Sequence, residues 1–324
     1  MGTAEFAQLG AGAEALPAPR RPRIAIVRRL ALFAYAFVFV LWTLHYGISI
    51  QRELVIGWVI GALACASIGR SPRDIAQLAV DWLPMVVLLL AYDYTRGLAD
   101  SVGMPVHFTT MIDFDQLVFF GQTPTEWLQP RIIDSGGVHW WDVCFTFIYT
   151  SHFIVPFALA GALWARNRRA FKQFTHRFLT LSGAGLATYI LFPAAPPWMA
   201  SEQGLLDPIT RSSGRGFELI SVHTAAAFDK GQSVVNLVAA VPSLHAGISM
   251  LVSLFLWPRV GRWWRPIVGL YPLVMALMLI ATGEHYFFDV VLGWLYAATV
   301  MAGWAWWERR RPADEPITAA RARP

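Results

Sequence analysis

The chain has 324 residues, of which 56% are hydrophobic and 15% are Asp, Glu, Lys or Arg. An ordinary soluble domain carries roughly a quarter charged residues, so this composition, with a mean hydropathy of +0.46, excludes a soluble enzyme and requires lipid around the chain. The net charge of +5 invites a nucleic-acid reading, which the placement of the charges removes, and two cysteines exclude a disulfide framework or a cysteine-based metal cluster.

Residues 1–28 are rich in Ala, Pro and Arg and lack the apolar core of a signal peptide, so they read as a disordered cytoplasmic tail. A spanning helix needs about 20 mostly apolar residues to cross about 30 Å of hydrocarbon. Eight segments approach that length: Arg29–Ser49, Glu53–Ile68, Asp74–Leu98, Trp140–Trp164, Phe174–Phe192, Ser243–Trp257, Trp264–Thr282 and Tyr286–Trp307. The second and sixth are short, and the sixth follows a proline that suits a helix start. Cys65 and Cys144 fall inside apolar runs and read as small buried residues. The segment 309–324 reads as a second cytoplasmic tail. The chain therefore divides into the tail 1–28, two N-terminal membrane helices in 29–73, a larger membrane domain in 74–308 and the tail 309–324. The fold class is all-α: a polytopic membrane helix bundle of about eight spans.

Lys and Arg fix the orientation, because cytoplasmic loops retain them. With a cytoplasmic N-terminus and eight crossings, 20 of the 26 fall on the cytoplasmic side and 6 on the other. Clusters such as Arg166–Lys172 and Arg259–Arg265 thus account for the basic character without nucleic acid. The two long connections, Ala99–His139 and Pro193–Pro242, then lie on the non-cytoplasmic side. The first contains Asp113-Phe-Asp115 and Pro124-Thr-Glu-Trp127, suited to a short interfacial helix. The second opens on Phe192-Pro-Ala-Ala-Pro-Pro-Trp198, whose prolines force a stiff turn out of the bilayer. Tryptophans near segment ends, such as Trp140, Trp141, Trp263 and Trp264, read as interfacial anchors.

Ionisable residues at membrane depth are costly and mark functional sites. The topology puts His245 in the first turn of the sixth span and His285 in the turn before the eighth. Asp289 follows one helical turn beyond His285 on the same face. Asp93 and Arg96 end the third span at the same level, either as a helix-end ion pair or as substrate contacts. Such a set suits phosphoryl transfer. One imidazole attacks phosphorus, an Asp at i+4 fixes its tautomer, and a second His protonates the leaving alkoxide. Helix-start N–H groups and cations hold the phosphate oxygens, with Ser243 as the cap candidate at the sixth span. His152, inside the fourth span, reads either as a buried hydrogen-bonded residue or as part of the site, and Tyr149 as packing. The remaining histidines, His45, His107, His139, His176 and His223, read as surface or interface residues. The run Ser182-Gly-Ala-Gly185 suits close helix packing.

Ala240-Val-Pro-Ser-Leu-His-Ala246 and Gly283-Glu-His-Tyr-Phe-Phe-Asp-Val290 resemble the second and third signature motifs of the type 2 phosphatidic acid phosphatase superfamily. Tyr92-Asp-Tyr-Thr-Arg-Gly97, Tyr149-Thr-Ser-His-Phe153 and the proline run further resemble its branch typified by fungal inositol phosphorylceramide synthase and actinobacterial relatives. The resemblance runs from about Pro84 to Trp294. It implies a six-helix catalytic core, His285 as nucleophile, Asp289 as its orienting partner, His245 as general acid, and chemistry needing neither metal nor cofactor. The family's first motif, a Lys followed by Arg-Pro, has no counterpart here. Met278-Leu279 stand where a Ser-Arg pair is usual, and Leu244 stands where Gly is usual. Two basic phosphate ligands are therefore unassigned, and Arg211 and Arg215, in a Ser/Gly-rich stretch, are the substitutes chosen.

The expected function is a lipid phosphotransferase moving a phosphoinositol-type head group between lipids, with a lipid alcohol as acceptor. The alternative within the same chemistry is a lipid phosphate phosphatase acting on phosphatidate or a polyprenyl phosphate. The alternative of another class is a non-catalytic lipid-binding or transport protein, which an internal repeat and a polar cluster at mid-membrane would favour. Neither feature is found.

Overall fold

The computed structural model describes residues 22–46, 52–102, 104–133, 137–219, 224–226, 228, 232 and 236–310, with the side chains of 22, 23, 44, 52, 53, 55, 56, 89 and 92–102 excepted. The tails 1–21 and 311–324, the side chains of Asp93 and Arg96, and all of His223 and Lys230 lie outside the described residues.

The described residues form an all-α molecule. Eight helices coincide with the eight segments expected from hydropathy: α1 (Pro22–Tyr46), α2 (Arg52–Ser67), α3 (Pro72–Val102), α6 (Trp140–Arg166), α7 (Arg168–Leu191), α9 (Leu244–Leu256), α10 (Arg265–Ala281) and α11 (Phe287–Arg310). Of these, α1, α6 and α11 are both long and apolar enough to cross a bilayer. Gly57–Ser67 of α2, α9 and α10 are apolar but shorter. Helices α3 and α7 are long, at 31 and 24 residues, and more polar. The chain is a membrane protein. Helix α1 begins at Pro22 rather than Arg29, so 22–28 are helical and not part of a disordered tail, and α7 begins at Arg168 rather than Phe174, because Arg and Lys are good helix formers that need not enter the hydrocarbon.

Both long connections carry structure. The first folds into α4 (Thr109–Val118) and α5 (Pro124–Ile132), two short helices where one was expected. Thr123 and Glu126 cap α5 reciprocally, side chain to backbone amide in both directions. The second connection turns through α8 (Pro197–Glu202) and a 3₁₀ turn at Arg215–Leu219. Its proline run is pinned as an extended bridge between two neighbours. Ala195 N–H donates to His107 O at 2.9 Å, and Ala194 N–H to Val238 O at 2.8 Å. These bonds anchor the loops over the helix ends, and the cluster of Met111, Ala194, Ile209, Val241 and Tyr286 buries the junction.

Helices α3, α6, α7, α9 and α11 share the main apolar core, in which Phe171, Phe174, Leu181, Leu251 and Phe255 are the most deeply buried large side chains. The tightest helix pair is α9 against α11. A Cβ on Gly293 would lie 2.3 Å from Ser243 O, and one on Gly247 3.0 Å from Gly293 O. Backbone-to-backbone contact of this kind needs glycine on the facing surfaces. It brings the first turns of both helices side by side, which creates the site.

Candidate active site

Helix α10 ends in a Schellman turn. Gly283 adopts φ +74°, Glu284 N–H reaches Leu279 O at 3.0 Å, and Gly283 N–H reaches Ile280 O at 3.2 Å. The left-handed residue must be glycine here. The turn reverses the chain within a few residues and delivers Glu284 and His285 directly to the start of α11.

His285 Nδ1 lies 3.2 Å from Asp289 Oδ2, and the same oxygen accepts Tyr286 N–H at 3.0 Å. Asp289 is fully buried and His285 nearly so. A buried carboxylate facing Nδ1 fixes the tautomer with the proton on Nδ1, leaving the lone pair on Nε2. Asp289 also joins the two helices through its backbone, since its carbonyl accepts Ser243 N–H at 3.0 Å.

Ser243 caps α9, its hydroxyl accepting Ala246 N–H at 3.2 Å. The other first-turn amides of this helix, those of Leu244 and His245, have no intrahelical acceptor. His245 stands in that turn with its ring centroid 5.8 Å from that of His285. It is flanked on the other side by α6. Tyr149 stacks on it at 4.7 Å and His152 lies against it at 4.1 Å. Tyr149 and His152 are three residues apart and therefore share one helix face. His245 Nε2 and His152 Nδ1 are buried and have no hydrogen-bond partner among the described residues. Two such orphans side by side are expensive in a purely structural site.

The basic residues chosen from sequence are held differently. Arg211 makes a two-pronged pair with Glu284, Nε to Oε1 at 3.0 Å and an NH2 group to Oε2 at 3.1 Å, and it lies 5.3 Å above the Trp198 ring. Ser213 also donates to Glu284, and Gln232 Nε2 reaches Ser213 Oγ at 2.9 Å. Arg211 is still close enough to His245 to act on it electrostatically. Arg215 lies 3.9 Å from the buried Asp142 and donates to Gly137 O. Both arginines line a cleft of about 580 Å³ with Gln129, Ser212 and Gln232.

The structure thus brings together His285, Asp289, His245, Ser243 and His152, with Arg211 behind Glu284. Arg215 lies further along the same loop, against the start of α6. Asp93 and Arg96 fall on α3, with their side chains outside the described residues. Sequence reasoning passed over Tyr149 as packing and missed Glu284 and Gln232. Glu284 sits inside the motif next to His285, and that adjacency was the available signal. Among the described residues, no group of three or more His, Cys, Asp or Glu is arranged to hold a metal ion.

Residues 112–304 match the model of the PAP2 superfamily. The match spans more than half of the chain, and the chain belongs to this superfamily. It is an integral membrane enzyme acting on lipid phosphates, of the lipid phosphotransferase class. Among curated proteins it is similar to the phosphoinositol dihydroceramide synthase of Bacteroides thetaiotaomicron. They are 27% identical over 250 residues, 72% of this chain and 77% of the relative. It is also similar to the inositol phosphorylceramide synthase of Candida albicans, 30% identical over 161 residues, 46% of this chain and 32% of the relative. No solved structure matches it.

Proposed function

We infer that the enzyme transfers a phosphoinositol head group from an inositol phospholipid to a lipid alcohol of the ceramide kind, through a covalent intermediate on His285. The observation that carries this reading is the buried His285–Asp289 pair with the His245 ring beside it. The names of the two relatives supply the head group and the acceptor.

In the first half-reaction, His285 Nε2 attacks phosphorus and the P–O bond to the lipid glycerol breaks. Protonated His245 gives its proton to the departing oxygen, while Asp289 steadies the positive charge on the His285 ring. In the second half-reaction, neutral His245 takes the proton of the acceptor hydroxyl as that oxygen attacks phosphorus, and the N–P bond breaks. His285 is restored, and His245 is protonated for the next cycle. The first-turn amides of α9, capped by Ser243, are placed to hold phosphate oxygens. His152 supplies a further buried nitrogen beside them. Arg211 exchanges one Glu284 oxygen for a phosphate oxygen, and Arg215, Asp93 and Arg96 are further substrate contacts in this reading. The cleft beside Arg211, with amide, hydroxyl and guanidinium groups, suits the hydroxyls of an inositol ring.

The starts of α9 and α11 and the loops over them lie on the non-cytoplasmic side in this reading, with both termini cytoplasmic. Support comes from the 20-to-6 distribution of Lys and Arg. Discharge of the intermediate to water gives the phosphatase alternative, and nothing in the geometry favours it.

The test is product identification. Purified enzyme is given phosphatidylinositol with dihydroceramide, and phosphatidate as the competing substrate. Phosphoinositol dihydroceramide as main product supports the reading, whereas free phosphate from phosphatidate as main product replaces it with the phosphatase. His285→Ala lowers turnover by at least about a thousandfold, as loss of a nucleophile does; full retention removes the nucleophile assignment.

A further inference from the structure

The amides of Tyr286, Phe287 and Phe288 open α11, and the first turn of an α-helix gives them no intrahelical acceptor. In most helices a side chain just ahead in sequence takes one of them. Here Asp289 takes the Tyr286 N–H, and the other two go to a residue more than 170 positions earlier. Asp115, fully buried on α4, accepts the Phe287 N–H through Oδ2 and the Phe288 N–H through Oδ1, each at 2.9 Å. Phe287 and Phe288 are two of the three residues between His285 and Asp289. The helix α4 presses on the same place with its flanking rings. Phe114 meets Phe288 and Phe119 meets Phe287, each edge-on at 5.1 Å between centroids.

A carboxylate is a costly choice for this task. Burial pushes the Asp115 carboxyl up to about 7 against the help of two N–H bonds, and the nearby Asp289 adds to the rise. Tyr286 from the turn and Asp289 from α11 are the titratable groups that bear on it. Folding alone would be served by a neutral cap, which satisfies an amide without burying a charge beside another carboxylate. A carboxylate gives each of two successive peptides its own acceptor oxygen, and those peptides set the distance from Asp289 to His285.

We propose that Asp115 is a positioning residue for the phosphoryl transfer: from α4 it clamps the Phe287 and Phe288 amides and so fixes the reach of Asp289 to His285. The inference rests on His285 and Asp289 being the reacting pair. Asp115 touches no substrate in this role. It acts through the first turn of α11, and α4 of the first long connection thereby supports the reacting pair.

The experiment compares Asp115→Asn with wild-type enzyme and with His285→Ala, all as the full chain in detergent with phosphatidylinositol and dihydroceramide. It reads kcat, KM, melting temperature and the rate at which inositol-labelled phosphatidylinositol labels the protein. Asparagine keeps one acceptor oxygen and loses the second, so kcat falls by about 10–100-fold, the scale of a misplacement below about 1 Å. KM stays within about twofold, and label accumulates to the wild-type level more slowly. Wild-type kcat in folded Asp115→Asn overturns the proposal, as does a loss of activity that only tracks the loss of folded protein. If Asp115→Asn does not elute as a single folded species, Asp115→Ser is read by the same criteria. Failure of both to fold assigns Asp115 to folding alone and overturns the proposal as well. Turnover surviving in His285→Ala overturns the reacting pair instead, independently of either Asp115 variant.

Discussion

Asp289 and Asp115 show how the same side chain acquires two duties from its surroundings. Asp289 spends one oxygen on both His285 and the Tyr286 amide, whereas Asp115 spends both oxygens on backbone. The raised titration of Asp115 makes a prediction of its own. Its carboxyl ionises near 7 in the folded protein and near 3.8 in the unfolded chain. Between those values the folded state holds a proton that the unfolded state has released, so this group's contribution to stability falls as pH rises through that window. Wild-type enzyme in detergent therefore loses melting temperature from pH 5 to pH 8 by more than Asp115→Asn does. Parallel curves for the two proteins would contradict the assignment. His285 and Asp289 were legible in the sequence because their relation is local, four residues on a helix. The pairings Asp115–Phe287 and Arg211–Glu284 were not, because contacts across 172 and 73 residues leave no periodicity for a single sequence to display.

Helices α9 and α11 are the elements that make the site, and their contact depends on glycine. A methyl group on Gly293 would meet Ser243 O at 2.3 Å, so Gly293→Ala must push the helices apart at the point where His245 faces His285. Overpacking of this kind costs about 1–3 kcal/mol of stability. The activity measured per folded molecule falls more steeply than that, by at least about tenfold, because the displaced group carries His245. Unchanged activity in folded Gly293→Ala would mean that the helices can separate without disturbing the histidines. Most helices were read from hydropathy to within a few residues, as Trp140–Trp164 against Trp140–Arg166 illustrates. The short helices α4, α5 and α8 were less visible. Their apolar faces are brief and their stability comes from caps and from docking on the helix ends, as the Thr123–Glu126 cap and the Trp198 N–H to Gly283 O bond show.

For the whole molecule, the account requires that the loops over α9 and α11 face away from the cytoplasm. In a chain with Cys65 and Cys144 replaced by alanine, a cysteine at the exposed Leu205 should react with an impermeant maleimide on intact cells. One at the exposed Trp263, between α9 and α10, should react only after lysis. The opposite pattern would invert the topology. The covalent step at His285 is open to a direct measurement. Full-length enzyme is mixed with phosphatidylinositol labelled in its inositol ring and quenched in alkali, where a phosphorus–nitrogen bond to imidazole survives. Label is expected on the wild-type protein, within the peptide containing His285, removed by added dihydroceramide and missing from His285→Ala. Label of equal yield on His285→Ala, or turnover of wild-type enzyme with no labelled protein at any time, would contradict it.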